Sequence, residues 1–133
     1  MPMRIEAAGE RRTFRVTAGL TPGYAHSPLT LPLPADDAVN AIMDWQTDCR
    51  GDGLPHLNGV VRAGVVVYAG PNGHGREPVV VFEGEVSVRD QPNLGDSEVV
   101  AALNGLAERL AYKLAQQRVY VAYRDESWVL VRE

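Results

Sequence analysis

Along residues 12–20 the chain alternates: Phe14, Val16, Ala18 and Leu20 fall on one side, Thr13, Arg15 and Thr17 on the other. A period of two is the mark of a strand with one buried face, so a first strand is predicted here. Residues 3–7 are expected to pair with it through a turn at 8–10. Residues 60–69 and 77–89 are denser in valine and predict the two strongest strands. Between them runs Gly70-Pro71-Asn72-Gly73-His74-Gly75, a link rich in residues that tolerate positive φ, which predicts a hairpin. In the second of these strands Val80, Phe82, Val86 and Val88 line one face, Val79, Val81, Glu83, Glu85 and Ser87 the other, with Gly84 marking a bulge or a close backbone approach.

The period lengthens elsewhere. Over residues 34–49, Ala38, Ile42, Trp45 and Cys49 recur at helical spacing behind Pro34, Asp36 and Asp37, which suit a helix start. Over 97–117, Val99, Leu103, Leu106, Leu110 and Leu114 make the clearest helical stripe, with Asp96 as the expected cap. Alternation returns at 118–124 and at 127–131. Residues 21–34 hold five prolines or glycines among them and read as an extended surface loop.

The resulting order is strand, helix, strand, strand, helix, strand, with extra strands allowed at both termini. It is the βαββαβ order of the ferredoxin-like α+β fold: an antiparallel sheet with two helices on one face, one domain over residues 1–133. In element order alone it is similar to the small trimeric PII and CutA signalling-type proteins and to dimeric barrel proteins. None of their motif residues is present, so this likeness transfers no function. Phe14, Val16, Ile42, Phe82, Leu103, Leu106, Leu110 and Val121 are the expected core.

One feature of the pattern exceeds that fold's needs. The central hairpin is apolar on both sides, and a strand apolar on both faces is covered on both. Either residues 21–34 strap the second face, or a second copy of the chain does. We expect a homo-oligomer, a dimer or trimer, whose interface includes Val79, Val81 or Tyr68, with Trp128 as an aromatic anchor.

Charge narrows the partners. Seventeen acidic and 13 basic residues leave −4, so the clustered cations that bind phosphate backbones are missing and no nucleic-acid partner is expected. Neither a membrane span nor a secretory signal is expected from the short apolar runs. A lone Cys49 excludes an intrachain disulfide and points to a reducing cytoplasm.

Candidate chemistry is sparse. Cys49, His56 and His74 could together bind a soft metal, but their spacing forms no compact ligand set, and no metal and no cofactor are expected. Gly73, His74, Gly75 and Arg76 could cradle a small anion through converging amides and a fixed cation. Glu83 and Glu85, two apart on one strand face, could work as an acid–base pair with His56 or His74. Asp37, Asp44 and Asp48 run along the wet side of the first helix. With no nucleophile elbow, phosphate loop or dinucleotide fingerprint, the reading that follows is a non-enzymatic binding or regulatory module acting through protein contacts or a small anion. Two alternatives stand beside it: a small enzyme with an intersubunit cleft using Glu83, Glu85, His56 and His74, and an acidic inhibitor or immunity-like protein.

Overall fold

The structure is a computed structural model, and it describes residues 2–23 and 31–133. In chain order it runs β1 (Thr13–Gly19), α1 (Ala35–Gly51), β2 (Val60–Gly70), β3 (Gly73–Glu85), α2 (Asp96–Lys113), β4 (Arg118–Tyr123) and β5 (Glu126–Val131). The strands form one antiparallel sheet in the order β2-β3-β1-β4-β5. The first four have the ferredoxin-like arrangement, and β5 adds an edge strand through a tight turn. Residues 2–12 are extended but belong to no strand, so the expected amino-terminal pairing is absent. They are fastened instead by ion pairs, Glu6 to Arg89 at 3.1 Å and Glu10 to Arg124 at 2.9 Å. Met3 and Ile5 are left almost fully exposed beside those pairs.

Both helices lie on the face built from Phe14, Val16, Ala18, Val80, Phe82, Val119 and Val121. Ala38, Ile42, Trp45 and Cys49 descend from α1, and Val99, Leu103, Leu106 and Leu110 from α2. Every expected core residue is in this cluster. Phe14 and Phe82 meet across adjacent strands with ring centroids 5.5 Å apart, a favourable tilted pair. Several boundaries differ from the pattern. β3 begins at Gly73 rather than Glu77, because a two-residue turn at Pro71-Asn72 lets the glycines pair at once with β2. It also ends at Glu85, so Val88 lies beyond the strand and is exposed rather than buried. Gly95, not Asp96, caps α2, its amide donating to Glu98 Oε1 at 3.1 Å. Asp96 serves elsewhere: Tyr123 Oη donates to its Oδ1 at 2.5 Å, and Arg12 and Arg124 flank it.

The hairpin is longer than the sheet behind it. β1 pairs with β3 only from Val79 to Glu85, so residues 65–78 project past the helical layer as a two-stranded arm. Val65 and Val67, which point toward the helix side, are consequently exposed, as are Val66 and Tyr68 on the other. Trp128 does not face the second side of the sheet. It stands opposite Val121, packs against the core and donates its indole N–H to Asn104 Oδ1 at 2.8 Å, which corrects its expected place at an interface. Residues 24–30, the centre of the proline-rich strap, lie outside the described residues. Its ends are held: Leu33 donates its amide to the Leu20 carbonyl at 2.7 Å, and Leu20 to that of Pro78 at 3.0 Å.

Candidate functional site

The sheet face without helices is where alternate residues of four strands meet: Arg15, Thr17 and Gly19 of β1, Val66 and Tyr68 of β2, Glu77, Val79 and Val81 of β3, and Arg118 and Tyr120 of β4. They line an open cavity of about 820 Å³, joined at one end by Gln116 and Gln117. That is the size of a small-molecule site, with an apolar floor and a few polar groups round it.

Its polar corner is built by the end of α2. Ala115 adopts φ 51°, the left-handed conformation that reverses a chain at a helix terminus, and the amide of Gln116 returns to the Ala111 carbonyl at 2.9 Å. The reversal drives the Gln116 side chain inward, where it is buried. Its Nε2 donates to the carbonyls of Thr21 at 2.7 Å and Leu114 at 3.0 Å, so the amide orientation is fixed and Oε1 remains as acceptor. That oxygen and Glu77 Oε1 converge above Gly19. A methyl group on Gly19 would stand 2.5 Å from the first and 2.6 Å from the second, so only glycine leaves the space in which they meet. Two acceptors aimed at one point in a cavity suit a ligand's hydroxyls or a cationic group. Arg118, one residue beyond the Ala18–Val119 pair, supplies the opposite sign beside Gly19, and Arg15 supplies it farther along the same face, where a carboxylate fits.

The residues singled out from sequence are dispersed. Glu83 pairs with Arg62 of the neighbouring strand, and Glu85 with Arg11 at 2.5 Å. His74 stands opposite Ala69 near the arm's tip, nine residues from Glu83 along the same strand, about 30 Å at roughly 3.3 Å per residue. Within one chain these two do not meet. His56 lies in the loop after α1, its carbonyl receiving the Gln91 amide at 2.6 Å, near Leu94 and Glu98. Cys49 is buried in the core, and burial pushes its thiol up, away from the reactive thiolate. Gly73, His74, Gly75 and Arg76 are strand residues paired with Gly70, Ala69, Tyr68 and Val67, not a loop of converging amides. Among the described residues no three or more of His, Cys, Asp and Glu gather as a metal set, and no helix is long and apolar enough to cross a membrane. Asp48, on the outer side of α1, is paired with Arg109 of α2 at 2.7 Å.

Glu77, Gln116 and Gly19 escaped sequence reasoning. The signal for Glu77 was its odd-numbered place in β3, which puts it on the same face as Val79 and Val81. Gln116 had none, since its position depends on a helix that ends four residues before the stripe suggests.

No protein-family model and no curated protein matches the chain. Solved structures do. A phage SAM lyase in complex with S-methyl-5'-thioadenosine is similar with a TM-score of 0.68 and 14% identity, over 98% of this chain and 97% of that one. A phage SAM lyase in the apo state is similar with a TM-score of 0.71 and 17% identity, over 98% of both. At such identity the likeness shows a shared fold, an α+β sheet carrying two helices. It also corrects the expectation of a non-enzymatic binding or regulatory module, because both of these structures, matched from end to end, are of an enzyme.

Proposed function

We propose that the chain is a small lyase acting on a sulfonium nucleoside of the S-adenosylmethionine type, with its site in the cavity on the helix-free sheet face. The observation that carries the reading is the convergence of Glu77 and Gln116 above Gly19 in a cavity of ligand size. The fold shared with the SAM lyase structures supplies the substrate class. In the reaction the substrate's own carboxylate oxygen closes on the side-chain carbon as that carbon's bond to sulfur breaks, so the amino-acid part leaves as a lactone and the electron pair of the broken bond stays on sulfur. The sulfonium cation thereby becomes the neutral thioether S-methyl-5'-thioadenosine, and no water is consumed. The Glu77 carboxylate and the Gln116 carbonyl present negative and dipolar oxygen to the nucleoside end, while Arg15, farther along β1, suits the amino-acid carboxylate. The lone buried Cys49 suits a reducing, cytoplasmic setting for such an enzyme.

The direct test is incubation of the purified protein with S-adenosylmethionine and chromatography of the products. S-methyl-5'-thioadenosine forming faster than in the protein-free control is the expected result. A rate equal to the control would overturn the reading.

The arm favours one addition. Val65 and Val67 are exposed on the helix side of β2, whose outer edge pairs with no strand among the described residues, and Val129 and Val131 are exposed at the opposite edge of the sheet, clear of the cavity. A second copy of the chain packing there would cover both apolar sets. Light scattering above the monomer mass is the expected result.

A further inference from the structure

Tyr68 and Gly75 face each other across the β2–β3 ladder, on the side of the sheet that holds the cavity. A Cβ on Gly75 would overlap the Tyr68 ring, coming 2.7 Å from Cε2 and closer still to the atoms at its tip. The tip of the ring therefore lies over Gly75, in the place a side chain there would fill. A tyrosine seated in that gap is held by the strand beneath it. Tyr68 is half exposed and lines the cavity.

A half-exposed aromatic ring anchored at the rim of a ligand-sized cavity offers a stacking surface. Tyr120 is the other exposed aromatic on the cavity wall, but it lies on β4, three strands away. At about 4.8 Å per strand that is roughly 14 Å across the sheet, too far for the two rings to clasp one heterocycle between them. The geometry points to one-sided stacking, and we propose that Tyr68, held by Gly75, is the platform on which the purine base of the ligand rests. This rests on the nucleoside reading above. It assigns the base to the arm end of the cavity and leaves the Glu77–Gln116 corner for the sugar and sulfur. Specificity at this position is for a flat aromatic base, since a ring face reads π-surface and not hydrogen-bond pattern.

The test is titration of S-methyl-5'-thioadenosine into the wild-type protein and into Y68L, Y68F and G75A, followed both as affinity and as the loss of adenine absorbance near 260 nm that accompanies stacking. Thermal melts check that each variant is folded. Y68L and G75A are expected to bind about tenfold more weakly and to lose the absorbance change, the scale of a single base–aromatic contact. Y68F is expected to keep both, which a merely structural role for the hydroxyl or the hairpin would not require. Wild-type affinity in Y68L, or weakened binding with the absorbance change intact, overturns the platform while leaving the lyase reading in place. A wild-type protein that binds no S-methyl-5'-thioadenosine overturns that reading as well.

Discussion

The two faces of the sheet are written by the same strands at alternating positions, yet they obey different rules. On the helix-covered face side chains are chosen for volume: Phe14, Val16, Val80, Phe82, Val119 and Val121 meet leucines from α2 and leave almost no exposed surface. On the other face the same strands offer Arg15, Thr17, Glu77, Arg118 and Tyr120 among valines and glycines. A mixture of that kind packs poorly against a helix but surrounds a small molecule well. The first face sets stability, and on the function proposed above the second holds the chemistry, so substitutions on the two should separate cleanly.

The largest effect belongs to the covered face. Leu106, on the core side of α2, is fully buried, and Leu106→Ala should cost about 2–5 kcal/mol in denaturant unfolding, the range for deleting a packed leucine. A loss below about 1 kcal/mol would mean that the core tolerates collapse there. On the open face Glu77→Gln should leave the unfolding midpoint unchanged and slow formation of the thioether product about a hundredfold, a typical loss for one oriented group at a reacting centre. Parallel losses of stability and rate would blur the division between the faces.

Val67→Glu probes the region where neither rule applies. Val67 is exposed on the arm in a single chain, at 71%, so a carboxylate there costs an isolated copy little. If a second copy covers the arm, sedimentation should show the assembly reduced to monomer while helix content is retained. The smallest effect is electrostatic, at the seam where α2 meets the strands. Tyr123, by donating its hydroxyl proton, holds the Asp96 carboxyl below its ordinary value, and Arg124 and Arg12 add to this. A depressed folded-state pKa contributes stability above the unfolded value, about 3.9, which is lost as pH falls through the lower folded one. Melting temperature should therefore drop below about pH 4, and Asp96→Asn should lower it modestly at neutral pH while flattening that drop.

How much of this the sequence discloses follows the same division. The covered face repeats its signal at every second strand position and every helical turn, so all eight expected core residues are legible from Phe14 to Val121. Element order was legible for the same reason. The open face carries no redundancy. Glu77 and Gln116 are 39 positions apart, and their meeting depends on where α2 stops and on the absence of a side chain at Gly19. Glu83, Glu85, His56 and His74 were legible as residue types, but strand length keeps Glu83 and His74 apart within one chain. The hairpin link misled in a similar way: its glycines suggest a loop, whereas cross-strand pairing with β2 recruits them into the ladder.

The amino-terminal segment is fastened to the rest by charge and not by a ladder. Glu6 and Glu10 hold it to Arg89 and Arg124, and these four side chains sit in water. Mobile ions compete with exposed pairs of this kind, and their reach shrinks to about 8 Å at physiological ionic strength and about 3 Å at 1 M. Backbone pairing between β1 and its neighbours feels no such competition. Ionic strength is thus a selective release for residues 2–10: it can free that stretch, with its uncovered Met3 and Ile5, while Arg12, bonded to the Leu94 carbonyl and the Val86 amide, and the sheet beyond it stay in place.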